Sequence, residues 1–461
     1  MTNSPEETRE YSSFRDPSGS VFVKNGAVYR RVNLGYRPHY NALMDSGLYQ
    51  KLVEDHLLVP HKLAEEPGPD GSIVIQPEQI PFISYPYEWC FEQYQDAALA
   101  MLHIEAQALE FGMTLKDASG YNIQFLNGKP LLIDTLSFET YLGGPWAGYG
   151  QFCRHFLGPL FLAAYLDSRL TKMMQNYIDG IPLDLGSLLL RGKGGFGVLQ
   201  HIHWHAKFQA KYASAGGSGH LPRLKPLTKQ TLSALIESLI RIVQGLSPKK
   251  TVTEWGAYYQ GTNYSEAGAD EKARIVKAFA SLALKGEVSP LVWDLGANDG
   301  RYSRIAAEQG GYVVAFDIDM TAVGHCYRNL KQHPGGMLPL LLDLTAPSPG
   351  IGFANRERKT ISDRGKPRLT LALALIHHLV IAHNIPFGLI AEWFASFTKD
   401  LIIEFVPKGD SQTERLLRTR PDIFTDYTEP EFERAFCGPF GLLEKGPIPE
   451  SQRTMYLFRR R

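Results

Sequence analysis

Five apolar runs in the C-terminal part of the sequence each end in a residue able to do chemistry. They are Asp294 after LVW, Asp317 after YVVAF, Asp343 after LPLLL, His377 with His378 after LTLALALI, and Glu404 after LII. A single polar residue at a strand end is ordinarily a solvated terminus; five in succession point to a shared edge. Helix-length stretches separate the runs: Tyr302–Gln309, Thr321–Gln332, Phe387–Phe397 and, after the last, about Glu429–Phe436. Strands that alternate with helices build a parallel sheet covered on both faces. In such sheets ligands bind outside the carboxyl ends of the strands, where the five polar groups are predicted to lie. Carboxylates there offer paired acceptor oxygens to hydrogen-bond donors, and a histidine titrating near neutrality can accept a proton.

The first run continues into DLGANDGRYSR, Asp294–Arg304. Gly296 and Gly300 let the backbone turn tightly and approach a ligand, and the following helix points its first N–H groups to the same place. The spacing is DxGxxxG, with Asn298 between the glycines, and no GK[ST] ending marks a phosphate loop. This segment resembles the first motif of class I S-adenosylmethionine-dependent methyltransferases. The resemblance implies a Rossmann-like, seven-stranded methyltransferase domain of α/β class, with S-adenosylmethionine as cofactor. It implies that Asp294, Gly296, Asn298 and Gly300 hold the methionine part. Asp317 would accept hydrogen bonds from the ribose hydroxyls, with Asp319 as a lesser alternate. Asp343 would meet the adenine amino group and Leu344 would pack on the ring. LALALIHHLVIAHNIP and LIIEFVPKGD resemble later motifs of a bacterial subset that includes nodulation-type methyltransferases, although Thr370 stands where that subset often has an acid. Trp255–Val276 resembles the family's lead-in helix, and Tyr258, Tyr259 and Tyr264 would cover the cofactor. Methyl transfer needs a base only if the acceptor must lose a proton; His377, His378 and Glu404 are the residues placed for it.

The N-terminal half holds a second pattern in LKDASGYNIQFLNGKPLLIDTLSFE, Leu115–Glu139. Asp117 and Asn122 lie five apart, and Asp134 ends the run after an Asn127-Gly128 turn. One Asp to orient a hydroxyl, then an Asn and a second Asp to hold magnesium, is the arrangement of kinase-like phosphotransfer. Val21 to about Asp167 resembles the aminoglycoside-phosphotransferase and protein-kinase class. It departs from that class in Leu115-Lys116, in Asp134-Thr135-Leu136, and in lacking a glycine-rich loop and a strand lysine paired with a helix glutamate. Arg30 or Arg31 with Glu54 is the nearest substitute for that pair. The resemblance thus implies a degenerate kinase-like domain that binds a substrate or partner.

These residues need a frame. Residues 1–20 read as a polar arm, and Val21–Val32 as a hairpin around Asn25-Gly26. A helix over about His39–Leu58, a strand over Ile73–Ser84 and a long helix over Cys90–Phe111 follow. From Gly144 to Leu246 the pattern is mainly helical, with a loop or linker at Ser214–Pro222. The division is therefore an α+β kinase-like domain with a helical extension at 21–245 and a methyltransferase domain at 250–461. The latter closes with an antiparallel pair, GLLEKG and TMYLFRR, and the final FRRR reads as a solvated tail. HIHWH, His201–His205, would place three histidines on one face of a strand, but its surroundings read as a helix without a nearby carboxylate, so no metal site is expected there.

The chain has 461 residues, too many for one ordinary core. Lys plus Arg and Asp plus Glu both total 48, so the zero net charge disfavours a nucleic-acid or membrane partner. Four dispersed cysteines form no CxxC pair, the polar start is no secretory signal, and Phe156–Tyr165 is too short to span a bilayer. The resulting expectation is a bacterial, cytoplasmic methyltransferase acting on a small-molecule acceptor selected with help from the N-terminal domain. A bifunctional enzyme with ATP- and magnesium-dependent phosphotransfer, and a non-enzymatic cofactor-binding module, are the rival readings.

Overall fold

The computed structural model describes residues 7–204, 206–207, 228–249, 265–418 and 420–461. Two compact units divide the chain: Met1–Thr251 with Gly350–Lys359, and Val252–Pro349 with Thr360–Arg461.

The second unit is a single mixed α/β sheet with helices on it. Its strands, numbered within this unit, are β1 Leu291–Leu295, β2 Tyr312–Asp317, β3 Met337–Leu341, β4 Leu369–Ala372, β5 Asp400–Phe405, β6 Phe440–Pro447 and β7 Thr454–Arg460. The spatial order is β3-β2-β1-β4-β5-β7-β6. The first five are parallel, and β7 runs antiparallel to both β5 and β6. The chain reverses direction across the sheet between β1 and β4, and such a switch point leaves a crevice at the carboxyl ends. Every residue of β2, YVVAFD, is buried, as a strand covered on both faces requires. Helices α1 Glu266–Leu284, α2 Arg301–Glu308 and α3 Met320–Gln332 supply Val276, Ala280, Ala306 and Leu330 to the core formed with Val292, Ala315, Leu371 and Ile402. On the opposite side, Trp293 packs on Phe397 of α4, Phe387–Phe397, with ring centroids 5.0 Å apart. The final FRRR is not a solvated tail. Phe458–Arg460 belongs to β7, and Arg459 grips the buried Asp400 through two bonds of 2.9 and 2.8 Å.

The first unit opens with a five-stranded antiparallel sheet. Its order is Thr8–Arg9, Gly19–Lys24, Ala27–Val32, Ile73–Pro77, His61–Leu63. The polar arm is thus partly built in, since Thr8 and Arg9 pair with Val23 and Phe22. The hairpin turns at Asn25 and Gly26, φ 53° and 76°, the left-handed pair that a tight hairpin needs. The single helix expected over His39–Leu58 is two, Arg37–Asp45 and Leu48–Glu54, because Gly47 at φ 85° breaks the ladder between them. The strand expected to reach Ser84 stops at Pro77. The long helix Phe91–Glu110 follows, then a hairpin turning at Asn127 and Gly128 between Ile123–Leu126 and Lys129–Leu132. Gly350–Lys359 belongs to this unit through Glu357, which accepts from Arg15 at 3.0 and 2.7 Å, and through Arg358, whose guanidinium lies 4.2 Å from the centre of the Tyr121 ring. No motif in the sequence marks this excursion. Ser214–Pro222 and the tyrosines Tyr258, Tyr259 and Tyr264 lie outside the described residues.

Candidate functional site

Three consecutive strand ends of the second unit carry the site. Asp294 is the fourth residue of β1 and 1% exposed; it accepts a 2.6 Å hydrogen bond from the Ser303 hydroxyl of α2. Burial pushes its carboxyl up to about 7, against the Ser303 bond and Lys272 and with help from the charge of Asp317. The chain then bends through Gly296, Asn298 and Gly300, all left-handed at φ 79°, 50° and 80°. Gly296 and Ala297 donate to the Phe316 carbonyl at 2.9 Å each, stitching the loop to β2.

Gly300 is fixed by packing as well as by φ. A Cβ there would sit 2.5 Å from Cys326 Sγ and 3.1 Å from Met337 Cε. Gly300→Ala is therefore expected to lower the stability of this unit by roughly 1–3 kcal/mol, measured as faster amide exchange in α2 and β2; unchanged exchange would refute it.

Asp317 closes β2. Its Oδ2 accepts the Asn298 N–H and its Oδ1 the Asp319 N–H, both at 2.8 Å. Burial raises the carboxyl to about 6 even against these two donors. A carboxylate has about four acceptor positions, so the backbone donors of this turn, Ile318 among them, do not exhaust it. Asp319 is occupied otherwise. Its Oδ1 caps α3 by accepting from Thr321 and Ala322, at 2.7 and 3.2 Å. The third strand end contributes Asp343, half-buried two residues past β3, whose Oδ1 accepts from the Thr345 N–H and hydroxyl at 2.9 and 2.6 Å. Leu344 beside it is also half-buried.

The fourth strand end differs from expectation. β4 stops at Ala372, Ala374 takes φ 48°, and His377 precedes the π-helix His378–Ala382. The histidines thus start a helical turn instead of ending a strand; an unbroken apolar run hides such a break because periodicity alone does not separate buried strand from buried helix. Their rings lie 4.1 Å apart. His377 is 1% exposed, its Nδ1 has no hydrogen-bond partner among the described residues, and burial drives its pKa well below the usual histidine range. His378 is half-buried, and burial with the neighbouring charge of His383 lowers it to about 4. Both rings are neutral at neutral pH.

Glu404 lies inside β5, not at its end, and is fully buried. Its Oε2 accepts from Lys272 Nζ of α1 at 2.6 Å and from the Ala374 N–H at 2.8 Å; its Oε1 meets Arg453 at 3.3 Å. Arg453, itself 2% exposed, also clasps Asp410 at 2.7 and 3.0 Å. Glu404 thus holds the loop that carries the two histidines. Lys272, Ser303, Asp410 and Arg453 were not singled out by sequence reasoning. Only the α1–β5 packing and the Phe405–Thr454 register bring Lys272 and Arg453 beside Glu404.

In the first unit, Asp134 Oδ1 receives Arg30 at 2.8 Å and the Leu136 N–H at 2.7 Å. Burial raises the Asp134 carboxyl; Arg30 opposes that rise, and Asp16 and Asp117 reinforce it. Arg30 also bonds Asp16 at 2.6 Å. Glu54 is not its partner: that side chain accepts from Gln50 at 2.8 Å on an exposed helix face. Asp117 accepts the Ser119 N–H at 3.0 Å, and the Asn122 amide meets Ser137 Oγ at 3.4 Å. Of the HIHWH histidines, His201 bonds Tyr149 at 2.6 Å, His203 bonds Ser187 at 2.7 Å, and His205 lies outside the described residues. Among the described residues no three His, Cys, Asp or Glu side chains group as metal ligands.

No family model matches the chain. The nodulation protein NoeA of Rhizobium meliloti (strain 1021) is 34% identical over 474 aligned positions, covering 99% of this chain and 97% of that protein. Among solved structures, the magnesium protoporphyrin IX methyltransferase ChlM of Synechocystis PCC 6803 with bound S-adenosylhomocysteine matches 45% of this chain and 93% of its own, at 18% identity and a TM-score of 0.32. The N-methyltransferase NodS of Bradyrhizobium japonicum WM9 matches 42% of this chain and 98% of its own, at 10% identity and a TM-score of 0.30.

Proposed function

The chain belongs to the family of the nodulation protein NoeA, and from that premise we propose that its second unit transfers a methyl group from S-adenosylmethionine to a small-molecule acceptor. The observation that carries the reading is Asp317: a buried carboxylate at the end of β2, held by backbone donors from the glycine loop and the β2–α3 turn and presenting a pair of acceptor oxygens at the strand end. That pair suits the vicinal hydroxyls of a ribose. The loop of Gly296, Asn298 and Gly300, with Asp294 fixed beneath it by Ser303, takes the methionine part; Asp343 and Leu344 on the neighbouring strand end take the adenine. S-adenosylmethionine, when bound, supplies a methyl group already activated by sulfonium charge, so the protein's work is alignment and exclusion of water. Among the three residues placed for proton transfer, Glu404 is saturated and His377 buried. His378, neutral and half-buried, is assigned the proton of an acceptor that must lose one.

Titration with S-adenosylhomocysteine tests the cofactor site. The Asp317 carboxyl must be ionised to accept both hydroxyls, so affinity is expected to level off above about pH 7 and to fall as pH drops through about 6. Stability runs the other way. The raised Asp294 and Asp317 carboxyls favour the folded state fully below the unfolded value of about 4, and this contribution is lost as pH rises through about 6 to 7. Affinity that is flat down to about pH 5 would sink the assignment of Asp317.

The first unit is read as an acceptor-binding, kinase-like scaffold. Arg30 supports this over phosphotransfer, since its guanidinium occupies the Asp134 carboxylate that a magnesium ion would need. The unaltered protein is accordingly expected to show no magnesium-dependent thermal shift with an ATP analogue. A shift that Asp134→Ala removes would instead favour the bifunctional reading.

A further inference from the structure

Between Asp184 and Glu237 the sequence contains no acidic residue and seven lysines and arginines, Arg191, Lys193 and Lys207 among them. In a chain of zero net charge this is a pronounced local excess. The described part of the stretch also exposes large apolar side chains: Phe196 at 67%, Leu188 at 55%, Trp204 at 44% and Leu199 at 40%. They come from the helices Leu183–Leu189 and Phe196–Val198 and the π-helix Leu199–Trp204. These elements are joined: Ser187 bonds His203 at 2.7 Å, and the Phe196 and Trp204 rings meet edge to face at 6.1 Å. Arg191 and Lys193 stand exposed on the turn between them, which passes through Gly192 and Gly194 at φ 71° and 73°.

We propose that this face docks on an anionic lipid bilayer, with Phe196, Trp204 and the leucines entering the headgroup boundary and Arg191 and Lys193 meeting lipid phosphates. Aromatic and aliphatic side chains interleaved with Lys and Arg are what an interfacial surface requires; Asp184, exposed one turn before Leu188, is the single acid on these elements. The exposed leucines of the patch favour lipid over nucleic acid, whose bases need flat aromatic platforms. No helix among the described residues is long and apolar enough to cross a membrane, so the contact is with the surface. The expectation of no membrane partner rested on whole-chain charge, and that sum conceals the local excess.

The test is co-sedimentation of the full chain with vesicles of phosphatidylcholine alone and of phosphatidylcholine mixed with phosphatidylglycerol. The protein is expected to pellet with the mixed vesicles and to release in high salt. The variants R191E/K193E and F196A/W204A should each weaken partition by more than about tenfold. Unchanged circular dichroism and unchanged S-adenosylhomocysteine affinity would show that both variants fold. Failure to pellet, equal pelleting with both vesicle types, or loss in the charge variant with F196A/W204A unaffected would each overturn the proposal. Salt-sensitive RNA binding without vesicle binding would overturn it in favour of a nucleic-acid surface.

Discussion

Asp317→Ala is expected to reduce affinity for S-adenosylhomocysteine by at least about a hundredfold, measured by calorimetric titration of the intact chain. The estimate follows from what the side chain would do. Each hydrogen bond to a charged group contributes about 1.5–3 kcal/mol, and two hydroxyl donors converge on this carboxylate. The variant also leaves the Asn298 and Asp319 N–H groups without their acceptor, which loosens the glycine loop and adds to the loss. Asp319→Ala separates the two carboxylates of the same turn. Asp319 already spends its Oδ1 on the first turn of α3, so its removal should cost about 1 kcal/mol of stability and change affinity only a few-fold. If both variants bind alike, or if Asp317→Ala retains affinity within about fivefold, the ribose assignment is wrong.

The contrast between these two aspartates shows how far a sequence can be read. Both lie in VVAFDID, and strand alternation puts them on one side if the strand continues. The strand ends at Asp317, so alternation no longer applies, and the next acid becomes a helix cap. Runs bounded by turn residues were readable to within a residue: Phe387–Phe397 and Glu429–Phe436 stand as helices at those bounds. The apolar segment LTLALALIHHL was not, because its break is made by backbone conformation at Ala374 and not by a change in hydropathy. The arm over residues 1–20 and the terminal FRRR looked solvated by composition. Each contains residues that complete a sheet edge or pair with a distant acid, as Arg459 does with Asp400. Charge partners far apart in the chain leave no local pattern. The Arg30–Asp134 pair, which bears on what the first unit can do, is visible only once the strand that holds Arg30 is placed.

The Lys272–Glu404–Arg453 cluster is where a single substitution should have its largest effect on stability. Glu404→Leu is expected to destabilise the second unit by about 3–5 kcal/mol, because it strips the carboxylate from two buried cations. Arg453 keeps Asp410, but Lys272, 3% exposed at its side chain, loses its 2.6 Å carboxylate partner. Burial already lowers the Lys272 pKa against the pull of Glu404, and without that pull it must fall further. Between its lowered folded value and the unfolded lysine value the unfolded chain then binds more protons than the folded one, so the variant should regain stability as pH rises towards the unfolded value of about 10.4. Lys272→Met combined with Glu404→Leu should recover most of the loss at neutral pH, since it removes both halves of the pair and leaves apolar groups of similar size. The readout is hydrogen exchange of β4 and β5 peptides, which reports this unit without assuming that the whole chain unfolds in one step. The same substitution frees the Ala374 N–H, so methyl transfer should fall in the double variant even where stability has returned. A double variant with both full stability and full activity would show that Glu404 serves the fold alone and does not position the histidine turn.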